Sequence, residues 1–263
     1  MTTVGILGAG MVGSAWLRGI PWDTLDMTPT VFEPADIDVS PFSQASEASE
    51  LGACDIVLVF VSGGTAETAI RSTFGPDGTA GPAEILDFSS NGPEGKRSIA
   101  EWCTAHGSSY VDVTILGAIA AGGLSTPLAI AGTPSGAAQQ LISASGASLL
   151  RAENSEAGAA ARLKLVRSIV TKGLEALACE AQTIAAEYNL GDDYRRIFGD
   201  FETGSFTTIM DSMVRTHPDH RERRGREVRE VIAMVNASGR SSALLDAVAQ
   251  NYEQGAFRPV CSH

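Results

Sequence analysis

The residues best suited to holding a charged ligand stand near the start of the chain, as Gly8-Ala9-Gly10-Met11-Val12-Gly13 directly after the apolar run at 3–7. In a strand–turn–helix setting each glycine of such a G-x-G-x-x-G pattern has a physical task. Gly8 permits the tight turn, Gly10 lets the backbone approach a pyrophosphate, and Gly13 lets helix and strand pack closely, with the helix N-terminus facing the phosphate charge. A second apolar run ends in Glu33, 20 residues beyond Gly13. At that distance a carboxylate can accept hydrogen bonds from an adenosine ribose, and it favours NAD over NADP, whose 2′-phosphate it would repel. Strand, glycines and acid together argue against a glycine-rich turn without a nucleotide.

A second polar concentration spans 217–229, where arginines gather in an otherwise acidic chain. Arg223 with Glu227 and Arg226 with Glu230 have i,i+4 spacing, which suits a solvated helix laced by ion pairs. The functional alternative has His220 and Arg224 reaching the anionic or polar end of a substrate. His217 and His220 have the spacing of a metal pair, but no third ligand is suggested nearby, so no metal site is expected.

The elements that must position these residues follow from hydrophobic periodicity. Strand patterns fall at 3–7, 29–33, 55–61, 84–88, 109–113, 127–131 and 147–150, alternating with helical stretches. That alternation predicts a parallel α/β sheet. Beyond residue 152 nearly everything reads as helix. Residues 157–188 keep helical spacing through Leu163, Val166, Ile169, Val170 and Leu174 without a proline. Such a helix, about 45 Å long, suits a bridge between domains or subunits. Shorter helices are expected at 192–202, 204–215, 219–237 and 241–253. The expected architecture is an α/β Rossmann domain over 1–152 and an all-α domain over 153–263.

Composition narrows the partners. With 263 residues, 44% of them hydrophobic, the chain can bury a real core, and a net charge of −12 argues against nucleic acid or an anionic membrane as partner. A small molecule is the expected ligand. Cys54, Cys103, Cys179 and Cys261 lack metal spacing and read as reduced thiols. With no run of about 20 apolar residues and no basic leader at Met1, a cytoplasmic protein is expected.

The motifs occur in a fixed order that resembles the β-hydroxyacid dehydrogenase superfamily, which includes 6-phosphogluconate and 3-hydroxyisobutyrate dehydrogenases and, more distantly, imine reductases. After the glycine motif comes Val59-Phe60-Val61-Ser62, similar to the family loop that passes the nicotinamide ribose. Asp87-Phe88-Ser89-Ser90-Asn91-Gly92-Pro93 is similar to its D-x-S-T-x-x-P segment. Asp112-Val113-Thr114-Ile115-Leu116-Gly117-Ala118 stands where the family has its D-A-P-V-S-G-G substrate loop. Leu116 replaces the serine that would bond a substrate carboxylate, and Ala118 the last glycine, so a less polar substrate than a small hydroxy acid is indicated. The stretch at 217–229 resembles the histidine and double-arginine segment of a helical domain attached to some phosphogluconate-dehydrogenase-like proteins.

The resemblance places Lys164 where the family keeps its catalytic lysine and Ser168, one turn on, where it keeps an asparagine. It implies that Lys164 takes the hydroxyl proton as hydride leaves for the nicotinamide, if burial or a nearby cation lowers its pKa. Lys172 is the reserve. The cofactor-binding set so implied is Gly8, Ala9, Gly10, Met11, Val12, Gly13, Glu33, Val61, Ser62 and Ser90; the substrate set is Leu116, Gly117, Ala118, His220 and Arg224. The whole reads as an NAD- or NADP-dependent dehydrogenase acting on a secondary alcohol, with substrate bound between the domains. A homodimer is expected because a long exposed helix leaves apolar surface uncovered. An imine reductase and a dinucleotide-binding protein without turnover are the alternatives.

Overall fold

A computed structural model describes residues 1–74 and 81–254; Cys261 lies outside the described residues. By compactness the chain divides into two units, Met1–Ile169 and Val170–His263.

The first unit is built on an eight-stranded sheet. Its strands are β1 (Thr2–Leu7), β2 (Met27–Phe32), β3 (Ser43–Gln44), β4 (Ile56–Val59), β5 (Glu84–Asp87), β6 (Ser109–Ile115), β7 (Leu128–Ala131) and β8 (Leu149–Arg151). They lie in the order β3-β2-β1-β4-β5-β6-β7-β8. Successive crossovers run outward from β1 in opposite directions, to β2 on one side and β4 on the other. The carboxyl ends of β1 and β4 therefore flank the topological switch point, the place where open α/β sheets bind ligands. The helices of this unit are α1 (Met11–Gly19), α2 (Ala66–Arg71), α3 (Pro93–Ala105), α4 (Ile119–Gly122), α5 (Gly136–Ala144) and the start of α6 (Ala159–Glu187).

Two strands depart from the parallel sheet expected from sequence: β7 runs antiparallel to β6, and β8, parallel to β7, shares its reversed direction. Parallel neighbours need a crossover of a dozen or more residues, usually a full helix. Between Ile115 and Leu128 there is only the single turn of α4 and a 3₁₀ turn, so the chain doubles back.

Period-two alternation sends strand side chains to two apolar layers. Val4, Ile6, Ile56 and Leu58 pack with Trp16 and Leu17 of α1 and Leu141 of α5. Leu7, Val57 and Val59 pack on the other face with Leu51, Ile70 of α2 and Ile99 of α3. Both layers are closed to water, which fixes the register of the strands that build them; the edge strands β3 and β8 are exposed.

The second unit contains the rest of α6 and then α7 (Gly191–Tyr194), α8 (Gly199–Thr203), α9 (Phe206–Arg215), α10 (His217–Ala237) and α11 (Ala243–Gln254). The single helix expected at 192–202 is instead two short helices separated by a 3₁₀ turn. Helices α10 and α11 meet at Gly225, which is buried and where a Cβ would stand 3.3 Å from Tyr252 Cβ. Arg229 pairs with Glu253 at 3.1 Å, and Tyr188 Oη donates to the Met234 carbonyl at 3.0 Å. The only apolar side chains buried among the described residues of this unit are Ala185, Val235 and Ala249, while Leu174, Leu177, Phe198, Phe201, Phe206 and Met213 are exposed. No helix among the described residues is long and apolar enough to cross a membrane.

A Cβ built on Gly13 would lie 2.0 Å from the Gly8 carbonyl oxygen, whereas one on Gly10 meets nothing within 4 Å. Gly13→Ala is expected to cost about 2–3 kcal/mol of stability through forced backbone shifts, and Gly10→Ala less, about 1 kcal/mol, through a poorer helix N-cap. Urea unfolding of the two variants checks this; equal midpoints would contradict the packing described.

Candidate functional site

The glycine loop leaves β1 with Gly8 at φ +95°, a conformation that a side chain would strain. Helix α1 starts at once with Gly10 as its N-cap, without a side-chain cap and without an acidic residue in the first turn. Its first N–H groups therefore have no internal acceptor and can receive an anion. Beside the loop lies a cavity of about 520 Å³, lined among others by Gly8, Gly10, Glu33, Pro34, Phe60 and Val61. Glu33 Oε2 accepts the Ala9 N–H at 2.6 Å and Oε1 the Ala35 N–H at 2.9 Å, so its carboxylate is fixed at the mouth of the loop. Among the described residues, no lysine or arginine lines this cavity.

A second cavity of about 290 Å³ shares Phe60 and Val61 with the first and is otherwise formed by Met11 and Val12 of the α1 start, Phe88 and Ser90, the 115–120 loop, and Lys164 of α6. Phe60 and Phe88 stack at 4.7 Å between centroids and both rest on the buried Trp16. Lys164 is half-buried. Its amine is held below the ordinary lysine value, first by desolvation and then by the charges of Lys96 and Arg167. An amine so placed can exchange a proton with a bound group nearer neutral pH than a surface lysine can.

The structure thus brings together Met11, Val12, Val61, Ser90, Gly117, Ala118 and Lys164 around one cavity, and Gly8, Gly10, Glu33 and Val61 around its neighbour. Ala9 and Gly13 are buried beneath the loop. Other expected residues stand elsewhere. Ser62 is exposed, with its hydroxyl 2.9 Å from that of Thr65. The half-buried Leu116 packs against Ala129, Ala131, Ala159 and Ala160, away from the cavity. Ser168 is half-buried one turn beyond Lys164 and is not among the cavity's lining residues. In the second unit His220 is exposed. Arg224 is spent on the end of α9, donating to Thr216 Oγ1 at 2.8 Å and the Met213 carbonyl at 3.3 Å. Arg223 pairs with Glu227 as expected of a laced helix. Lys172 is exposed and paired with Glu175 at 2.7 Å. Cys54 and Cys103 are buried free thiols, Cys103 pushed up to about 12 chiefly by desolvation, and Cys179 is exposed. No group of three metal-ligating side chains occurs among the described residues.

Sequence reasoning missed the charged cluster beneath the cavity. Asp87 and Asp112 occupy paired positions on β5 and β6, and both are fully buried. Lys96 of α3, equally buried, stands 3.0 Å from Asp112 Oδ1 and 3.6 Å from Asp87 Oδ2, and donates to the carbonyls of Asp87 at 2.6 Å and Val113 at 3.2 Å. Tyr110 Oη donates to Asp87 Oδ2 at 2.6 Å; burial and the two carboxylates hold its phenol well above the usual value. The one available signal was an aspartate inside each of two consecutive apolar runs, since a buried acid needs a donor or cation.

No family model and no curated protein matches the sequence. Among solved structures the chain is similar to an imine reductase from Myxococcus stipitatus, a V8 variant in complex with NAD+, with 17% identity, a TM-score of 0.79 and coverage of 97% of this chain and 94% of that one. An imine reductase of the same organism in complex with NADP+ matches at 17% identity and a TM-score of 0.75 over 97% and 94% of the two chains. A conserved protein of unknown function, described as structurally similar to 3-hydroxyacid dehydrogenases, matches at 22% identity and a TM-score of 0.61 over 96% of each chain. What the chain shares with these structures is the fold, a doubly wound sheet-based unit followed by a helical one.

Removing the Tyr110 hydroxyl takes a donor from a buried carboxylate. Tyr110→Phe is expected to lower unfolding free energy by about 1–3 kcal/mol, read by chemical denaturation; an unchanged midpoint would mean that Asp87 finds another donor at no cost.

Proposed function

We propose that this protein is an NAD(P)-dependent oxidoreductase that interconverts a secondary alcohol and its carbonyl compound, with Lys164 as acid and base. The observation that carries the reading is Lys164 on the wall of the same cavity as the first turn of α1 and Ser90. The chain's own residues fit a dinucleotide. The open space at Gly10 and the uncapped α1 N-terminus suit a pyrophosphate, Glu33 suits the adenosine ribose, and the lack of a cation among the described residues lining that cavity favours NAD over NADP. The nicotinamide, when bound, supplies the hydride acceptor or donor. In oxidation the neutral Lys164 amine takes the hydroxyl proton as the C–H bond gives up its hydride; in reduction the ammonium returns it to the carbonyl oxygen. Phe60, Phe88, Ile115 and Ile119 keep water from the reacting atoms and select a substrate with an apolar flank. Ser90 offers a hydroxyl to orient it; Ser168 supports Lys164 from one turn away.

Imine reduction is the second reading, favoured by the similarity to imine reductases and by the same apolar wall. In it the proton goes to the imine nitrogen.

A homodimer accompanies this function. Among its described residues the second unit buries almost none of its large apolar side chains, and a second copy laid along the exposed Leu174, Leu177 and neighbouring helices is the economical cover.

Lys164→Met is expected to keep wild-type NADH binding, read by energy transfer from tryptophan, and to lose at least about a hundredfold in alcohol oxidation. The low-pH limb of wild-type oxidation should lie below 10.5, the ordinary lysine value from which Lys164 is lowered, because only the neutral amine accepts the proton. Cyclic imines still reduced by Lys164→Met would select the second reading, and no cofactor binding at all would end both. Sedimentation equilibrium should give twice the 27.4 kDa chain mass; a monomer at micromolar concentration would refute the dimer.

A further inference from the structure

The chain has three lysines, and their surroundings differ completely: Lys172 is exposed, Lys164 half-buried and Lys96 fully buried. Lys96 is the cation between two carboxylates that adjacent strands force side by side. Its partner Asp112 has a second duty. While Oδ1 faces Lys96, Oδ2 accepts the N–H groups of Gly158 at 3.0 Å and Ala161 at 3.2 Å, the first turn of α6. Gly158, at φ +92°, is pressed against the start of α3, where a Cβ would stand 2.5 Å from the Pro93 carbonyl oxygen. Lys164 follows Ala161 by three residues, under one helical turn.

We propose that Lys96 is a positioning residue for Lys164: by clamping Asp112 it fixes the first turn of α6 against β6 and α3, and so sets where Lys164 stands on the cavity wall. Lys96 also acts through its charge. Lys96 from α3 and Arg167 from α6 bear on the Lys164 amine, both lowering its affinity for a proton, while Asp87, Asp112 and Tyr110 from β5 and β6 surround Lys96 itself. The exposed pair of Arg162 and Glu94, 3.8 Å apart, adds little to the same contact. The consequence for catalysis rests on the proposed role of Lys164; the clamp does not.

The test reads Lys164 without needing turnover. Full-length wild type, Lys96→Met and Asp112→Asn are reductively methylated with ¹³C-formaldehyde and titrated by NMR, the Lys164 signal being assigned by its loss in Lys164→Arg. In Lys96→Met the Lys164 signal should titrate at higher pH than in wild type, because a like charge is gone and two carboxylates remain. In Asp112→Asn, whose amide oxygen still caps α6, it should titrate at lower pH. Lys172 should not move in either. Lys164 titrating at its wild-type pH in folded Lys96→Met overturns the proposal, and if that variant does not fold, an unchanged Lys164 in Asp112→Asn overturns it equally. A shifted Lys164 whose replacement leaves turnover intact would uphold the clamp and sink the catalytic reading; turnover that needs Lys164, with a titration indifferent to Lys96, would do the reverse.

Discussion

Two carboxylates stand side by side in the dry interior of a parallel sheet, and much of the cavity's geometry follows from what that demands. An uncompensated buried charge costs several kcal/mol, so Asp87 and Asp112 must be given a cation and donors. Lys96 supplies the cation, and Tyr110 and the N–H groups of Ser89, Gly158 and Ala161 supply donors to three of the four oxygens; Asp112 Oδ1 has only its ion pair with Lys96. Much of the cavity's wall is made by segments that leave this cluster. Ser90 follows Asp87 by three residues, the 115–120 loop follows Asp112 at the end of β6, and Lys164 follows Ala161. Anchoring the three roots in one network holds the three tips in register with one another.

The glycine loop works by the opposite means, through absent atoms. Gly13 lacks a Cβ where one would overlap the Gly8 carbonyl, and Gly10 leaves open space where a side chain would stand. The loop sits at the switch point of the sheet, and the two cavities on either side of it share the Phe60–Val61 wall. An extended ligand with a charged middle and two ring-bearing ends matches that layout. Its charged part would face uncapped helix N–H groups, its ends an acid-marked cleft and an apolar one.

Much of this was legible in the sequence. The strand–turn–helix around Gly8, Gly10 and Gly13, the acid at Glu33, the main strands and the long α6 were expected where they occur, because local periodicity and turn chemistry encode them. The reversed direction of β7 and β8 was not, since alternation reports which face a side chain takes and says nothing of which way a strand runs. Lys96 was passed over because its neighbours Glu94, Gly95 and Arg97 look like a solvated helix; its burial is imposed by two aspartates, one of them 16 residues further on. Leu116 was expected in the cavity and packs under α6 instead. Position in a motif says that a loop passes the ligand, but the pleat decides which side chains point to it.

The helical unit, with Ala185, Val235 and Ala249 as its only buried apolar side chains among the described residues, carries one more implication. On the reading that a second copy covers it, its folding free energy is a property of a solution and not of a chain. Each tenfold dilution then weakens it by about 1.4 kcal/mol, while the sheet-based unit, which buries its own core, is indifferent. Dilution would thus loosen one half of the molecule before the other, and protein abundance would become a variable of its activity.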